Sequence, residues 1–153
     1  MSESPVIERR AARVLVVDTA GRVLMLRGAD PADPARPYWF TVGGGLEPGE
    51  SVAEAAVREL AEETGLRLPI GEVGEPVWND VTEFPFDGRR YRQEQSWFLV
   101  RVPSFEIDRS GFDEIERATV TEVAWWSSHD FVASSEPFYP PDLPMLLGRL
   151  GVM

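Results

Sequence analysis

Three glutamates, Glu59, Glu62 and Glu63, stand at i, i+3 and i+4 in the segment SVAEAAVRELAEETGL that runs from Ser51 to Leu66. In a helix that spacing gathers three carboxylates within one turn. Like charges so placed repel one another, so either solvent screens them or a cation sits among them. Hard oxygen ligands clustered in this way suit Mg2+ or Mn2+ better than zinc. The helix itself is well signalled. Ser51 followed by Glu54 is a capping-box start, the alanine-rich run favours helix, and Gly65 is a stop, which predicts a helix over Val52–Thr64. Ala56, Val57, Leu60 and Thr64 mark another face, able to pack on a core.

The stretch before the helix supplies a second element of a site. Gly43, Gly44, Gly45 and Gly49 let the backbone come close to a ligand, and Pro48 stiffens the turn. A glycine-rich loop feeding a helix can present amide groups or a carbonyl there. Each feature alone has a bland reading, since acidic helix faces are commonly just solvated. The combined spacing is more specific. Gly44, Glu50, Arg58, Glu59, Leu60, Glu62, Glu63, Gly65 and Leu66 fit G-x5-E-x7-R-E-U-x-E-E-x-G-U, where U is bulky and apolar. A chance match in a chain of this length is on the order of one in a million.

On those residues the chain resembles the Nudix hydrolases, a family that cleaves nucleoside diphosphates linked to another group. Trp39 to Gly44 are similar to the family's W-x-x-P-G-G lead-in, with Val42 in the place of the proline. The resemblance implies an α/β fold, an α/β/α sandwich with a mixed β-sheet, and a metal-dependent pyrophosphohydrolase using Mg2+ or Mn2+. It implies that Glu59, Glu62 and Glu63, with a backbone carbonyl near Gly43 or Gly44, hold the metal. Arg58 would orient Glu59, and Glu50 would tie the loop to the helix or act in the outer shell. A further glutamate from a later loop often serves as base or extra ligand, for which Glu114 or Glu116 is preferred to Glu94. The family often has a basic residue near the substrate where Arg27 stands, and Arg27 is equally readable as a solvated strand end. The catalytic candidates are therefore Arg58, Glu59, Glu62, Glu63 and Glu114. Substrate-binding candidates are Arg27, Trp39, Phe40, Gly44 and Gly45; Tyr38, Trp39 and Phe40 could stack a base or simply pack. A Nudix-like domain that binds a nucleotide metabolite without cleaving it is the alternative, and an intact glutamate set argues against it. A Nudix-fold isoprenoid isomerase is disfavoured by the lack of cysteine.

At 153 residues, with 43% hydrophobic and 27% charged residues, the chain is expected to be one soluble domain with a substantial core. The absence of cysteine excludes disulfides, cysteine-ligated zinc and cysteine nucleophiles. A net charge of −11 argues against a nucleic-acid polymer as partner and leaves a small nucleotide-type substrate, with metal supplying positive charge. No apolar signal region or membrane-length stretch is present, so a cytoplasmic protein without a membrane partner is expected; a homodimer stays open.

The elements that must position the site follow from the chain's order. Residues 1–8 read as a loose polar arm. Ala12–Val17 and Val23–Leu26 read as a hairpin about Gly21, and Asp30–Pro37, with three prolines, as a loop. After the helix, 68–76 is a connection, and 77–84 and 90–102 are strands joined by an Asp87-Gly88 turn. Trp97 and Leu99 alternate with Phe98 and Val100, so both faces of that strand should be covered. Residues 105–117 form a charged connection and 119–127 a strand whose Trp125 and Trp126 face opposite sides. A helical turn at 128–132, a rigid Pro137–Pro144 linker and a terminal helix at 145–150 complete the chain. His129, the only histidine, reads as solvent-facing or at the core's rim.

Overall fold

The computed structural model describes residues 5–153. Strand β1 (Val6–Val17) leads to β2 (Val23–Gly28), β3 (Tyr38–Gly45), helix α1 (Val52–Thr64) and the one-turn α2 (Ile70–Val73). Then come β4 (Trp78–Phe86), β5 (Arg89–Arg101), α3 (Glu114–Thr119), β6 (Glu122–Trp126), α4 (Ser128–Ala133) and α5 (Leu143–Arg149). The strands form one mixed sheet in the order β4-β5-β1-β3-β2-β6, with β1 and β5 parallel and the other neighbours antiparallel.

The loose arm expected over residues 1–8 is not seen at Val6–Glu8. Residues 1–4 lie outside the described residues, and Val6–Glu8 already pair with Arg90–Arg92 of β5. Strand β5 is long, and its backbone groups there need partners, which β1 supplies. The expected β1–β2 hairpin exists only at its turn. Asp18 accepts from the Ala20 and Arg22 amides and from Arg22 Nε, and Val17 pairs with Val23. Beyond that point the strands separate and β3 inserts between them.

Alternation along the strands builds two cores. Ala12, Val14, Val16, Leu24, Leu26, Val42 and Phe98 face Ala56 and Leu60 of α1. Leu15, Val17, Val23, Met25 and Trp97 face Phe131, Leu143, Leu146 and Leu147 of α4 and α5. The result is the α/β/α sandwich around a mixed sheet that the resemblance implies. Strand β5 is covered on both faces as its pattern requires, and Trp126 is buried while Trp125 sits at the edge of the opposite core. Truncating a fully buried side chain such as Leu60 or Leu147 would cost about 2–5 kcal/mol.

Local signals set the ends of α1. Ser51 Oγ accepts from the Glu54 amide at 3.1 Å, and Glu54 accepts from the Ser51 amide at 3.0 Å. Gly65 closes the helix at φ 80°, a left-handed conformation natural to glycine. The β4–β5 turn has positive φ at both Asp87 (51°) and Gly88 (77°), the geometry of a tight two-residue hairpin. Within the stretches expected to be plain connections, α2 and α3 are short helices, and α5 begins at Leu143, ahead of Met145, because Pro144 fits its first turn. The proline-rich linker is pinned along β3 by the Trp39 amide donating to the Pro137 carbonyl and the Tyr139 amide to the Trp39 carbonyl, both at 2.9 Å.

Candidate metal and substrate site

Helix α1 lies across β1 and β3, so the glycine end of β3 runs beside its buried acidic side. Glu59 and Glu63 are four residues apart, a rotation of about 40° about the axis. Both fall on the face turned to the sheet, where Glu59 is 8% and Glu63 1% exposed. Glu63 Oε1 accepts from the Gly43 amide at 2.7 Å, which fixes its carboxylate against the end of β3. Gly44 gives Glu59 its space, because a Cβ there would stand 2.6 Å from Glu59 Oε1. Any larger residue would require that carboxylate to move.

Arg58 holds the outer side. Its Nε and Nη2 donate to the two Glu50 oxygens at 2.8 and 2.9 Å, its Nη1 to Glu59 Oε1 at 2.9 Å, and its Nη2 to the Gly45 carbonyl at 3.0 Å. One guanidinium therefore ties the loop, the helix and Glu59 together. The surrounding carboxylates raise the Arg58 pKa further, Glu50 most of all.

The third carboxylate of the cluster is Glu116, from α3. One ligand oxygen each from Glu59, Glu63 and Glu116 lie within 4.8 Å of one another. Asp113 caps α3 by accepting from the Glu116 amide at 2.8 Å, while Glu116 accepts from the Asp113 amide at 3.1 Å. This capping box anchors the Glu116 side chain where it reaches Glu63. The Asp113-x-x-Glu116 spacing is the sequence signal that distinguishes Glu116 from Glu114, which is exposed at the first position of α3.

Two members of the expected set lie apart from this cluster. Glu62, three residues from Glu59, is rotated by about 60° in the opposite direction to Glu63. Its side chain is 40% exposed, accepts from Arg58 at 3.2 Å, and borders a separate hollow of about 470 Å³ with Arg67 and Gly111. Glu114 is exposed to solvent, and Glu116 takes its place in the cluster. Glu94 is also exposed and stands at the rim of the main cleft without joining the cluster.

Burial raises the Glu59 pKa to about 7, against the lowering effect of Arg58. The Glu63 pKa is pushed well above the ordinary carboxylate range by burial first, then by its hydrogen bond with Glu116 and the charge of Glu59. Glu63 and Glu116 have no ion-pair partner among the described residues. Three converging oxygens, a glycine that clears space for one of them, and uncompensated charge fit a hard divalent cation.

The cluster opens into a cleft of about 1710 Å³ lined in part by Phe40, Gly44 and Gly45. Arg27 and Trp39 are placed elsewhere. Arg27 forms a bidentate pair with Glu136 at 2.8 and 2.7 Å and donates to Thr121 Oγ1 at 2.9 Å. It ties β2 to the segment after α4, with 25% of its side chain exposed. Trp39 is 8% exposed in the core beneath α4 and α5, and its Nε1 donates to the same Glu136 at 3.0 Å. These donors lower the Glu136 pKa to about 2. Nothing near Arg27 or Trp39 in the sequence announces Glu136, which lies about a hundred residues away. His129 is exposed, and no helix among the described residues is long and apolar enough to cross a membrane.

A family model described as the NUDIX domain matches residues 7–147. An RNA pyrophosphohydrolase of Erythrobacter litoralis is 36% identical over 108 residues, covering 65% of this chain and 65% of that protein, so the chain spans just under two thirds of that relative's length. One from Dinoroseobacter shibae is 30% identical over 138 residues, covering 85% and 83%. The crystal structure of a MutT protein from Methanosarcina mazei superposes with a TM-score of 0.66 at 18% identity, covering 97% of this chain and 99% of that one, a likeness of fold.

Proposed function

Because the chain belongs to the NUDIX domain family, we propose that it hydrolyses the diphosphate linkage of a nucleoside diphosphate bearing a further group, with Glu59, Glu63 and Glu116 as ligands for Mg2+ or Mn2+. The observation that carries this reading is the convergence of those three carboxylates from two separate helices. When bound, a divalent cation neutralises the diphosphate and lowers the pKa of a coordinated water.

The protein's own groups do the rest. The Gly43 amide fixes Glu63, and Arg58 holds Glu59 through Oε1 alone. Glu59 Oε2, which makes no bond to Arg58, would receive the proton of the attacking water. The water oxygen bonds to one phosphorus, the P–O bridge bond breaks, and the leaving phosphate departs with the bridging oxygen as an anion. Catalysis of this kind is mostly positioning and charge stabilisation. Arg58 supports it as a positioning residue.

The substrate class is a small nucleotide such as ADP-ribose, a nucleoside triphosphate, a dinucleoside polyphosphate or a sugar nucleotide. The net charge of −11 disfavours long contact with a phosphate backbone. A second reading, the 5′-triphosphate end of an RNA, is favoured by the names of the two bacterial relatives; such an end offers the same linkage and needs few backbone contacts. The test is a product assay with Mg2+ over those small nucleotides and a 5′-triphosphorylated oligoribonucleotide. Cleavage of one class supports hydrolysis and identifies it. No cleavage anywhere, together with a rise in melting temperature on adding a nucleotide, would favour a binding domain instead.

A further inference from the structure

On the sheet face away from α1, beyond the core that α4 and α5 cover, β1 and β5 present a polar patch to the same cleft. Gln93 there is fully buried. Its Nε2 donates to Gln95 Oε1 at 2.8 Å, and its own Oε1 meets no partner. Beside it in register on β1 is Arg9, whose Nε is likewise buried and unpartnered. The Arg9 guanidinium stands 5.5 Å above the Tyr91 ring centroid, and a Cβ on Gly45 would meet its Nη2 at 2.8 Å. Burial lowers the Arg9 pKa, and the charge of Arg13 adds to this. Among the described residues neither arginine has a carboxylate in ion-pair contact. Arg13 is spent instead on Gln95 Oε1 and the Thr41 carbonyl, both at 3.3 Å.

Buried polar groups normally have partners, so an orphan donor beside an orphan acceptor marks a place that a ligand can complete. A bare phosphate would satisfy Arg9 but set its oxygens against Gln93 Oε1 and against Asp80, which lines the same cleft. A ring carrying a carbonyl next to an N–H matches both groups, the carbonyl accepting from Arg9 and the N–H donating to Gln93 Oε1. Guanine, hypoxanthine and uracil have that edge, whereas adenine and cytosine present an amino group beside a bare ring nitrogen. The glycine end of β3 separates this patch from Glu59, which Gly44 contacts on its other side, and leaves both open to one cleft.

We propose that Arg9 and Gln93 form a base-recognition site that selects nucleotides with a lactam edge. This rests on reading the substrate as a nucleotide. The test is calorimetric binding of GMP, IMP, UMP, AMP and CMP in the presence of chelator. The intact protein should bind the first three tighter than the last two, by on the order of ten- to a hundredfold. Arg9→Met and Gln93→Leu should collapse that ratio toward one, while Arg9→Lys, which keeps a charged donor, should retain part of it. Should Gln93→Leu fail to fold, Arg9→Met and Arg9→Lys still decide the matter. Equal binding of all five by the intact protein, or a preference that survives Arg9→Met, would overturn the proposal. Absent hydrolysis with the preference intact would remove the catalytic reading alone. Hydrolysis without any base preference would remove the recognition site alone.

Discussion

Replacing Glu63 by glutamine should make the metal-free protein more stable. The amide oxygen of the new side chain could still accept from the Gly43 amide, and its nitrogen could donate to Glu116, so the substitution keeps the shape and removes a charge. At 4.8 Å, the outer limit of their separation, each fully charged carboxylate pair costs about 3.5 kcal/mol at an effective dielectric of about 20. Holding a proton in the cluster relieves part of this, and a neutral amide weakens the Gly43 bond by about 1 kcal/mol. A net gain of about 2–3 kcal/mol remains, or roughly 6–9 °C in melting temperature for a domain of this size. The measurement is thermal unfolding by circular dichroism at about pH 8 and low salt, with chelator and then with increasing Mg2+. The native protein should gain stability with Mg2+, while the variant starts higher and gains little. A lower melting temperature for the metal-free variant, or equal stabilisation of both by Mg2+, would refute the view that these carboxylates form one cation site.

Glu116→Gln should reduce turnover by about a hundredfold or more, and Glu114→Gln should leave it within about twofold, since only the former side chain reaches the cluster; steady-state rates at saturating Mg2+ check both. Gly44→Ala sets a methyl 2.6 Å from Glu59 Oε1 and should weaken Mn2+ binding, read by electron paramagnetic resonance, with a stability cost of about 1–3 kcal/mol from overpacking. The Glu136 pKa lies at about 2 in the folded protein and about 4.3 when unfolded. Its folded value is depressed, so its contribution to stability is present above about pH 4.3 and is lost as pH falls toward about 2. The melting-temperature advantage of the native protein over Glu136→Gln should therefore shrink over that window, and a constant difference from neutral pH down to its lower end would contradict the latch with Arg27 and Trp39.

What could be read from the sequence was what nearby residues decide. The bounds of α1, the Asp87-Gly88 turn and the two-sided burial of β5 all follow from spacing within a few positions. The same spacing gathers Glu59, Glu62 and Glu63 within one turn, but which of them is buried against the sheet depends on one residue of rotation, which spacing alone does not fix. Glu116 was within reach, since its capping box with Asp113 is a local signal like that of Ser51 and Glu54. The fates of Arg27 and Trp39 were not, because Glu136 claims both from a distant part of the chain. Strand order was equally out of reach. The insertion of β3 between β1 and β2, and the parallel pairing of β1 with β5, depend on which long-range partners complete each strand's hydrogen bonds.

The most direct test of a catalytic cation at these carboxylates compares cleavage of a nucleoside diphosphate derivative by the native protein and by Glu63→Gln, each with Mg2+ and with chelator. The expected result is cleavage by the native protein in Mg2+, its loss in chelator, its return when Mg2+ is restored, and a rate about a hundredfold or more lower in the variant. Undiminished cleavage in chelator, or a near-native rate for Glu63→Gln, would contradict the assignment of these carboxylates to a catalytic cation.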